Sequence, residues 1–180
     1  MSSATPTTLR DATPEDAAAI AEIYNQSIGA GDATMDEELW SAGRVRRKLA
    51  AFGRRETILV LQSGQMVAGW GIIKKYSDRR GYRFCCETAV YLRRDLVSRG
   101  FGTRLKRALI ERCRRYGYHH LVARIFADNR ASIEYNKKLG YEVVGTQKEI
   151  GFRNGRWQDV TILQLVLDDV RPPEPPRKIP

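Results

Sequence analysis

A strand that feeds a glycine-bearing turn and then a helix dominates the middle of the sequence, at residues 88–103, TAVYLRRDLVSRGFGT. Thr88-Ala89-Val90-Tyr91-Leu92 is rich in β-formers. The run breaks at Arg93-Arg94-Asp95, and Val97-Ser98-Arg99-Gly100-Phe101-Gly102-Thr103 leads into an amphipathic helix. A strand, a glycine turn and a helix in that order present unpaired backbone N–H groups to an anion. Glycine lets the backbone approach a phosphate with no Cβ in the way. An ordinary β–α connection has the same local signature, so this segment alone leaves both readings open. Glu87, just upstream, and the second half of the chain favour the functional one.

The flanking sequence supplies the remaining elements. Residues 8–12 read as a first strand, and Thr13-Pro14-Glu15-Asp16 as a helix start, with Thr as N-cap and acids in the first turn. Ala17, Ile20, Ile23, Tyr24 and Ile28 follow at helical spacing. Residues 36–51 predict a second helix with Leu39, Trp40, Val45 and Leu49 on its apolar face. Strands at 56–61 and 66–73 flank a hairpin turn at 62–65, and residues 82–92 form the next strand. In the helix after the glycine turn, Leu105, Ala108, Leu109, Cys113 and Tyr116 share one face. Arg104, Lys106, Arg107, Glu111 and Arg114 lie on the others. A strand at 119–126, a helix at 130–138 closed by Gly140 and a strand at 141–146 come next. A glycine-punctuated connection at 151–157 and a last strand at 159–167 complete the order β-α-α-β-β-β-α-β-α-β-β. That order predicts an α+β fold, a mixed sheet with helices on both faces. It forms one domain over residues 1–170, followed by a Pro-rich tail at 171–180.

Composition narrows the partners. The chain has 180 residues and a net charge of +10 from 31 Lys+Arg against 21 Asp+Glu. Such charge suits nucleic acid, an acidic membrane surface or a polyanionic small ligand. The basic residues alternate with helix-core positions and form no stripe with aromatics, so neither nucleic acid nor membrane is expected. Their concentration at 93–107 fits phosphates instead. No apolar run approaches the roughly 20 residues of a membrane span, and the N-terminus has no signal-peptide pattern. Cys85, Cys86 and Cys113 make neither a disulfide framework nor a zinc set, so a reduced, cytoplasmic setting and no metal are expected.

Several stretches together resemble the GNAT superfamily of acyl-CoA-dependent N-acetyltransferases, and within it the phosphinothricin and methionine-sulfoximine (L-amino-acid) acetyltransferases. Arg10-Asp11-Ala12-Thr13-Pro14-Glu15-Asp16 and Ile23-Tyr24-Asn25-Gln26 are similar to that subfamily's opening. Gly81-Tyr82-Arg83 and Glu87-Thr88-Ala89-Val90-Tyr91 resemble its central strand. Ala127-Asp128-Asn129-Arg130-Ala131-Ser132 and Lys138-Leu139-Gly140-Tyr141 resemble its cofactor-side helix, and residues 151–160 its Gly-Phe…Gly-x-Trp-x-Asp signature. The resemblance implies a central, mostly antiparallel sheet with acetyl-CoA as cosubstrate. Two positions depart from it. Val97 stands first in a phosphate loop that usually reads Q/R-x-x-G-x-G/A, and Asn136 stands four before Gly140, where Tyr or His is usual.

Acetyl transfer needs a base for the amine, a donor for the thioester oxyanion and stabilisation of the leaving thiolate. Glu87 is the candidate base, because the neighbouring Phe84, Cys85, Cys86, Ala89 and Val90 form a setting that strengthens a carboxylate as a base. The resemblance implies the same role. It also implies that the amides of Val90 or Leu92, beside Tyr91, meet pantetheine or the thioester. The loop Val97, Ser98, Arg99, Gly100, Phe101, Gly102 and Thr103 would then hold the pyrophosphate. Asn129, with Ser132 behind it, matches a pantetheine contact and also fits a helix N-cap. Tyr135 and Asn136 are the positions for the acid. An acceptor with a carboxylate would suit Arg79 and Arg83, with Phe152 and Trp157 as pocket walls, contributed within one chain or across a dimer. The expectation is a homodimeric enzyme that acetylates a small amino acid or analogue by direct attack. Another amine acceptor (polyamine, aminoglycoside or protein N-terminus) and a CoA-binding module without turnover are the alternatives.

Overall fold

The structure, a computed structural model, describes residues 6–171, so nearly all of the expected Pro-rich tail lies outside the described residues. The elements follow the expected order: β1 Thr7–Asp11, α1 Ala17–Ala30, α2 Ala42–Ala50, β2 Thr57–Ser63, β3 Met66–Lys75 and β4 Cys85–Leu92. After these come α3 Phe101–Arg115, β5 His120–Phe126, α4 Arg130–Lys137, β6 Glu142–Arg153 and β7 Arg156–Val166. One sheet runs β1-β2-β3-β4-β5-β7-β6, antiparallel at every pair except β4–β5. Helices cover both faces. Ile20, Ile23, Tyr24 and Val45 of α1 and α2 pack on Ile58, Val60, Trp70 and Ile72. On the other face Leu105, Leu109 and Cys113 of α3 pack on Leu59, Leu61 and Ile73. A Cβ on Gly71 would sit 2.7 Å from Leu109 Cδ1, so glycine there lets α3 lie close on β3. No helix among the described residues is long and apolar enough to cross a membrane.

The 3₁₀ turn Pro14–Asp16 that leads into α1 has a capping box: Asp16 accepts from Thr13 N–H at 2.8 Å and from Arg10 Nη1 and Nη2 at 2.6 and 2.8 Å. Four expectations are corrected. The second helix begins at Ala42, not residue 36, because Ser41 caps it by accepting from Arg44 N–H at 3.1 Å. Asp36 instead accepts from Tyr24 Oη and Trp40 Nε1, both at 3.0 Å, and Leu39 is exposed. The strand expected from residue 82 begins at Cys85, after a 3₁₀ turn at Arg80–Tyr82. The connection at 151–157 is the tip of a β6–β7 hairpin. Only Asn154 and Gly155 form the turn, at φ 50° and 73°, the left-handed pair an Asn-Gly turn provides. Lys106, expected on a solvated face, is buried at 2% exposure, on one stripe with Ile110 and Cys113.

Candidate active site

The gap in the sheet creates the site. The β4–β5 pairing covers only Cys85↔His120, Cys86↔Leu121 and Glu87↔Val122, and beyond Glu87 the two strands part. Arg93 N–H donates to Ala68 O on β3 at 3.0 Å. By strand alternation the amides of Tyr91 and Ala89 then face β3, and those of Val90 and Leu92 face the gap. A narrow cleft of about 90 Å³ fills the gap, with Thr88, Val90, Lys106, Asn129, Tyr135 and Asn136 among its lining. It shares Ala89, Tyr91, Arg124, Ile125 and Phe126 with a larger cavity of about 480 Å³ on the α1–α2 face.

At the α3 side of the gap lies the glycine turn. Ser98 and Gly100 have φ of 64° and 79°, and the first α3 backbone bond runs from Arg104 N–H to Gly100 O at 3.1 Å. The amides of Phe101, Gly102 and Thr103 precede it and lack an intrahelical acceptor. A Cβ on Gly100 would meet nothing within 4 Å, so open space adjoins these donors. Tyr135 Oη donates to Gly102 O at 2.5 Å and pins the turn to α4. Val97 is exposed, and Arg99 makes no ion pair among the described residues. Arg93 and Arg94 bind Glu22 and Asp32 at 3.2 and 2.5 Å, and so fasten this turn to α1 and the loop after it. Free amides, open space and a narrow cleft whose wall residue Tyr135 bonds this turn fit a phosphate-bearing cofactor with a slender arm.

Glu87 marks the fork and lines the larger cavity. Its surroundings are less apolar than the sequence implies: Lys74 Nζ lies 3.0 Å from Oε1 and Arg124 Nε 3.8 Å from Oε2. Neither cation is a sequence neighbour, which is why local reading missed them. Tyr24, Trp40, Trp70 and Tyr91 form an aromatic wall, with ring centroids 4.3 to 6.5 Å apart. Arg44 and Lys48, one turn apart on α2, also line this cavity. Burial, and next the charge of Lys74, hold the Lys48 ammonium below its ordinary range. A β6 bulge between Gln147 and Gly151 places both residues on the cavity wall, and Asp159 fixes it by accepting from Glu149 N–H at 2.8 Å.

On α4, Asn129 Oδ1 accepts from Ser132 N–H at 3.1 Å as an N-cap, while its Nδ2 donates to Asp32 O at 3.1 Å. Asn136 is buried. Its Nδ2 donates to Ser132 O at 2.8 Å, and its Oδ1 has no partner among the described residues. Burial pushes the Tyr135 hydroxyl well above its ordinary range. Lys106, whose sequence neighbours suggest a solvated position, reaches the same cleft from α3. Among the described residues no group of three His, Cys, Asp or Glu side chains is placed to hold a metal.

Four expected residues stand apart. Arg79 and Arg83 do not line the larger cavity, and Arg83 instead stacks on Phe84 at 4.6 Å. Phe152 and Trp157 pair edge to face at 5.1 Å and are both mostly exposed on the β6–β7 hairpin. The cysteines are free, and His119 Nδ1 lies 2.9 Å from the Leu167 and Val170 carbonyls.

A split parallel strand pair, with helix amides at one end and a carboxylate cavity at the other, is an arrangement for joining a phosphate-bearing donor to a small acceptor. Residues 9–162 match the family described as acetyltransferase (GNAT) domain. The L-methionine sulfoximine/L-methionine sulfone acetyltransferase of Pseudomonas paraeruginosa is 33% identical, over 91% of this chain and 96% of its own length. The L-amino acid N-acyltransferase MnaT of Escherichia coli is 33% identical, over 92% and 97%. A GNAT superfamily phosphinothricin acetyltransferase from Sinorhizobium meliloti, solved in complex with AcCoA, superposes with a TM-score of 0.87. It is 29% identical, over 96% of this chain and 95% of that one. The chain belongs to the GNAT acetyltransferases.

Proposed function

We propose that this protein transfers the acetyl group of acetyl-CoA to the α-amino group of a small amino acid or analogue, of the methionine sulfoximine or phosphinothricin kind, by direct attack in a ternary complex. The position of Glu87 carries this reading. It stands where β4 and β5 part, on the wall of the cavity and one residue from Thr88 in the narrow cleft. An amine in the cavity and a thioester in the cleft would meet beside it. Glu87 takes the proton from the amine, directly or through a water. The amides of Val90 and Leu92 offer donors to the thioester oxygen or the pantetheine arm, and the turn at 99–103 offers its amides to the pyrophosphate. Asn129 and Ser132 line the path between them.

The cavity chemistry supports an acceptor with a carboxylate. Arg44, Lys48, Lys74 and Arg124 face it against Asp36 and Glu87, a balance that disfavours polyamines and aminoglycosides. Arg44 and Lys48 replace Arg79 and Arg83 as the clamp within one chain. The free cysteines suit a reducing, cytoplasmic compartment. A homodimer formed over the exposed β6 edge, with Phe152 and Trp157 beside it, completes the reading. The test measures free thiol while acetyl-CoA is incubated with an amine panel. Thiol release with amino acids or their analogues is expected, and Glu87→Gln lowers kcat by about 10²-fold or more. No release with any of them removes this substrate class; full activity of the variant at every pH removes Glu87 as base.

A further inference from the structure

We propose that Lys106 is the proton donor to the sulfur that leaves when the acetyl group is transferred. This rests on the acetyl-CoA reading above and gives the reaction the acid that Tyr135 and Asn136 do not provide. Tyr135 has its hydroxyl committed to Gly102 O, and Asn136 carries no titrating proton.

Lys106 lies one helical turn past Gly102, so the segment that ends the phosphate turn also aims this side chain into the sheet gap. It is 2% exposed, yet among the described residues no carboxylate bonds it. Its Nζ donates to Thr88 Oγ1 at 2.8 Å and approaches Thr88 O at 3.4 Å, 4.6 Å from the centre of the Tyr141 ring. A buried ammonium with so little compensation is costly unless a further partner arrives. Asn136 is the second observation. It is 5% exposed, lines the same cleft, and has an unpartnered Oδ1. Among the described residues the cleft thus holds a cation with no counter-ion and an acceptor with no donor, the complement of an arm that ends in a thiolate and carries amide N–H groups.

The titratable and charged groups around Lys106 are Glu87 and Cys86 of β4, Cys113 of α3 and Tyr141 before β6, with Arg124 of β5 and Tyr135 of α4 lining the same cleft. Burial dominates and pushes the ammonium down to about 8, where a donor works near neutral pH. In the reaction the amine nitrogen bonds the carbonyl carbon and passes a proton to Glu87. The C–S bond breaks with its electron pair on sulfur, and Lys106 supplies the sulfur's proton. Glu87 then loses its proton to water and Lys106 regains one. An ammonium acceptor first loses a proton to water to become the attacking amine, and that proton is the one released overall.

The test uses the full chain and the variants Lys106→Met and Lys106→Gln, the second keeping a hydrogen bond to Thr88. Bound CoA is titrated by the ultraviolet absorbance of its thiolate, a readout independent of turnover. The thiol is expected to ionise at lower pH on the wild-type protein than free in solution, and at least one pH unit higher on either variant. Both variants lose about 10²-fold or more in kcat with KM for acetyl-CoA within a few-fold, and the alkaline fall of kcat near Lys106's titration disappears. Identical thiol titrations on wild type and variants, or a variant that keeps kcat and the alkaline fall, overturns the proposal. Failure of the amino-acid reading would be seen separately, as wild-type protein that binds CoA and perturbs its thiol yet acetylates no amino acid.

Discussion

Lys48 is the residue on which the acceptor assignment turns. It lines the cavity from α2 and has no ion pair among the described residues, while its neighbour Arg44 reaches Asp36 and Glu38 only at 4.0 and 3.8 Å. An unpaired cation there is free to meet a carboxylate. Lys48→Met is expected to raise KM for an amino acid about tenfold, the value of one charge-assisted bond, and to leave KM for acetyl-CoA unchanged. The sign with pH follows from its lowered titration: the ammonium binds, so affinity for the acceptor falls as pH rises through a range below that of an ordinary lysine. Steady-state kinetics across pH check both; equal KM for wild type and variant would move the carboxylate elsewhere. Residues differ in how far they could be read in advance. Thr13 and Asp16 form a local cap that spacing alone predicts. Glu87 was visible as an acid on a strand, but Lys74 and Arg124 reach it from two other strands. Lys106 left one local trace, its i, i+4, i+7 spacing with Ile110 and Cys113, which places it at the border of the apolar stripe.

Among the elements, the turn into α3 was the most legible, because glycine at a left-handed position is a local requirement. Gly100→Val puts a β-branched residue at φ 79°, a conformation that costs an L-residue about 1–2 kcal/mol. Among the described residues a Cβ there would meet nothing within 4 Å. Any larger effect on CoA therefore reports what occupies the space outside the turn. Calorimetric titration is expected to give a Kd for CoA raised at least about tenfold, with a modest loss of thermal stability. An unchanged Kd would detach this turn from the cofactor. Elements whose limits depend on distant partners were less legible. Residues 36–41 have helical spacing, but Asp36 is held by Tyr24 and Trp40, so the helix waits for the Ser41 cap. The stretch 151–157 carries two glycines that suggest a loop, whereas only Asn154-Gly155 turns.

At the scale of the molecule, the order of elements could be read from the chain, but the parting of β4 and β5 could not, since it depends on how far two strands stay paired. The same holds for the opposite edge of the sheet. β6 is an edge strand, exposed along residues 142–149, and Val143, Val144, Ile150 and Phe152 present apolar surface there beside Trp157 of β7. A long apolar edge invites pairing with another chain unless charge or cover blunts it. A second copy is the cover proposed above, and the bulge at 147–151 ties that edge to the acceptor cavity, because Gln147, Ile150 and Gly151 belong to both. Sedimentation equilibrium is expected to give about twice the 20.5 kDa of one chain. Val144→Glu, which buries a charge in such an interface, shifts the protein toward monomer at micromolar concentration. If β6 is braced by a partner, the monomer raises KM for the amino acid more than KM for acetyl-CoA, since the cleft and the α3 turn lie on other elements. A wild-type protein that sediments as a monomer would remove the dimer. A variant monomer with unaltered acceptor KM would keep the dimer but separate it from the acceptor cavity.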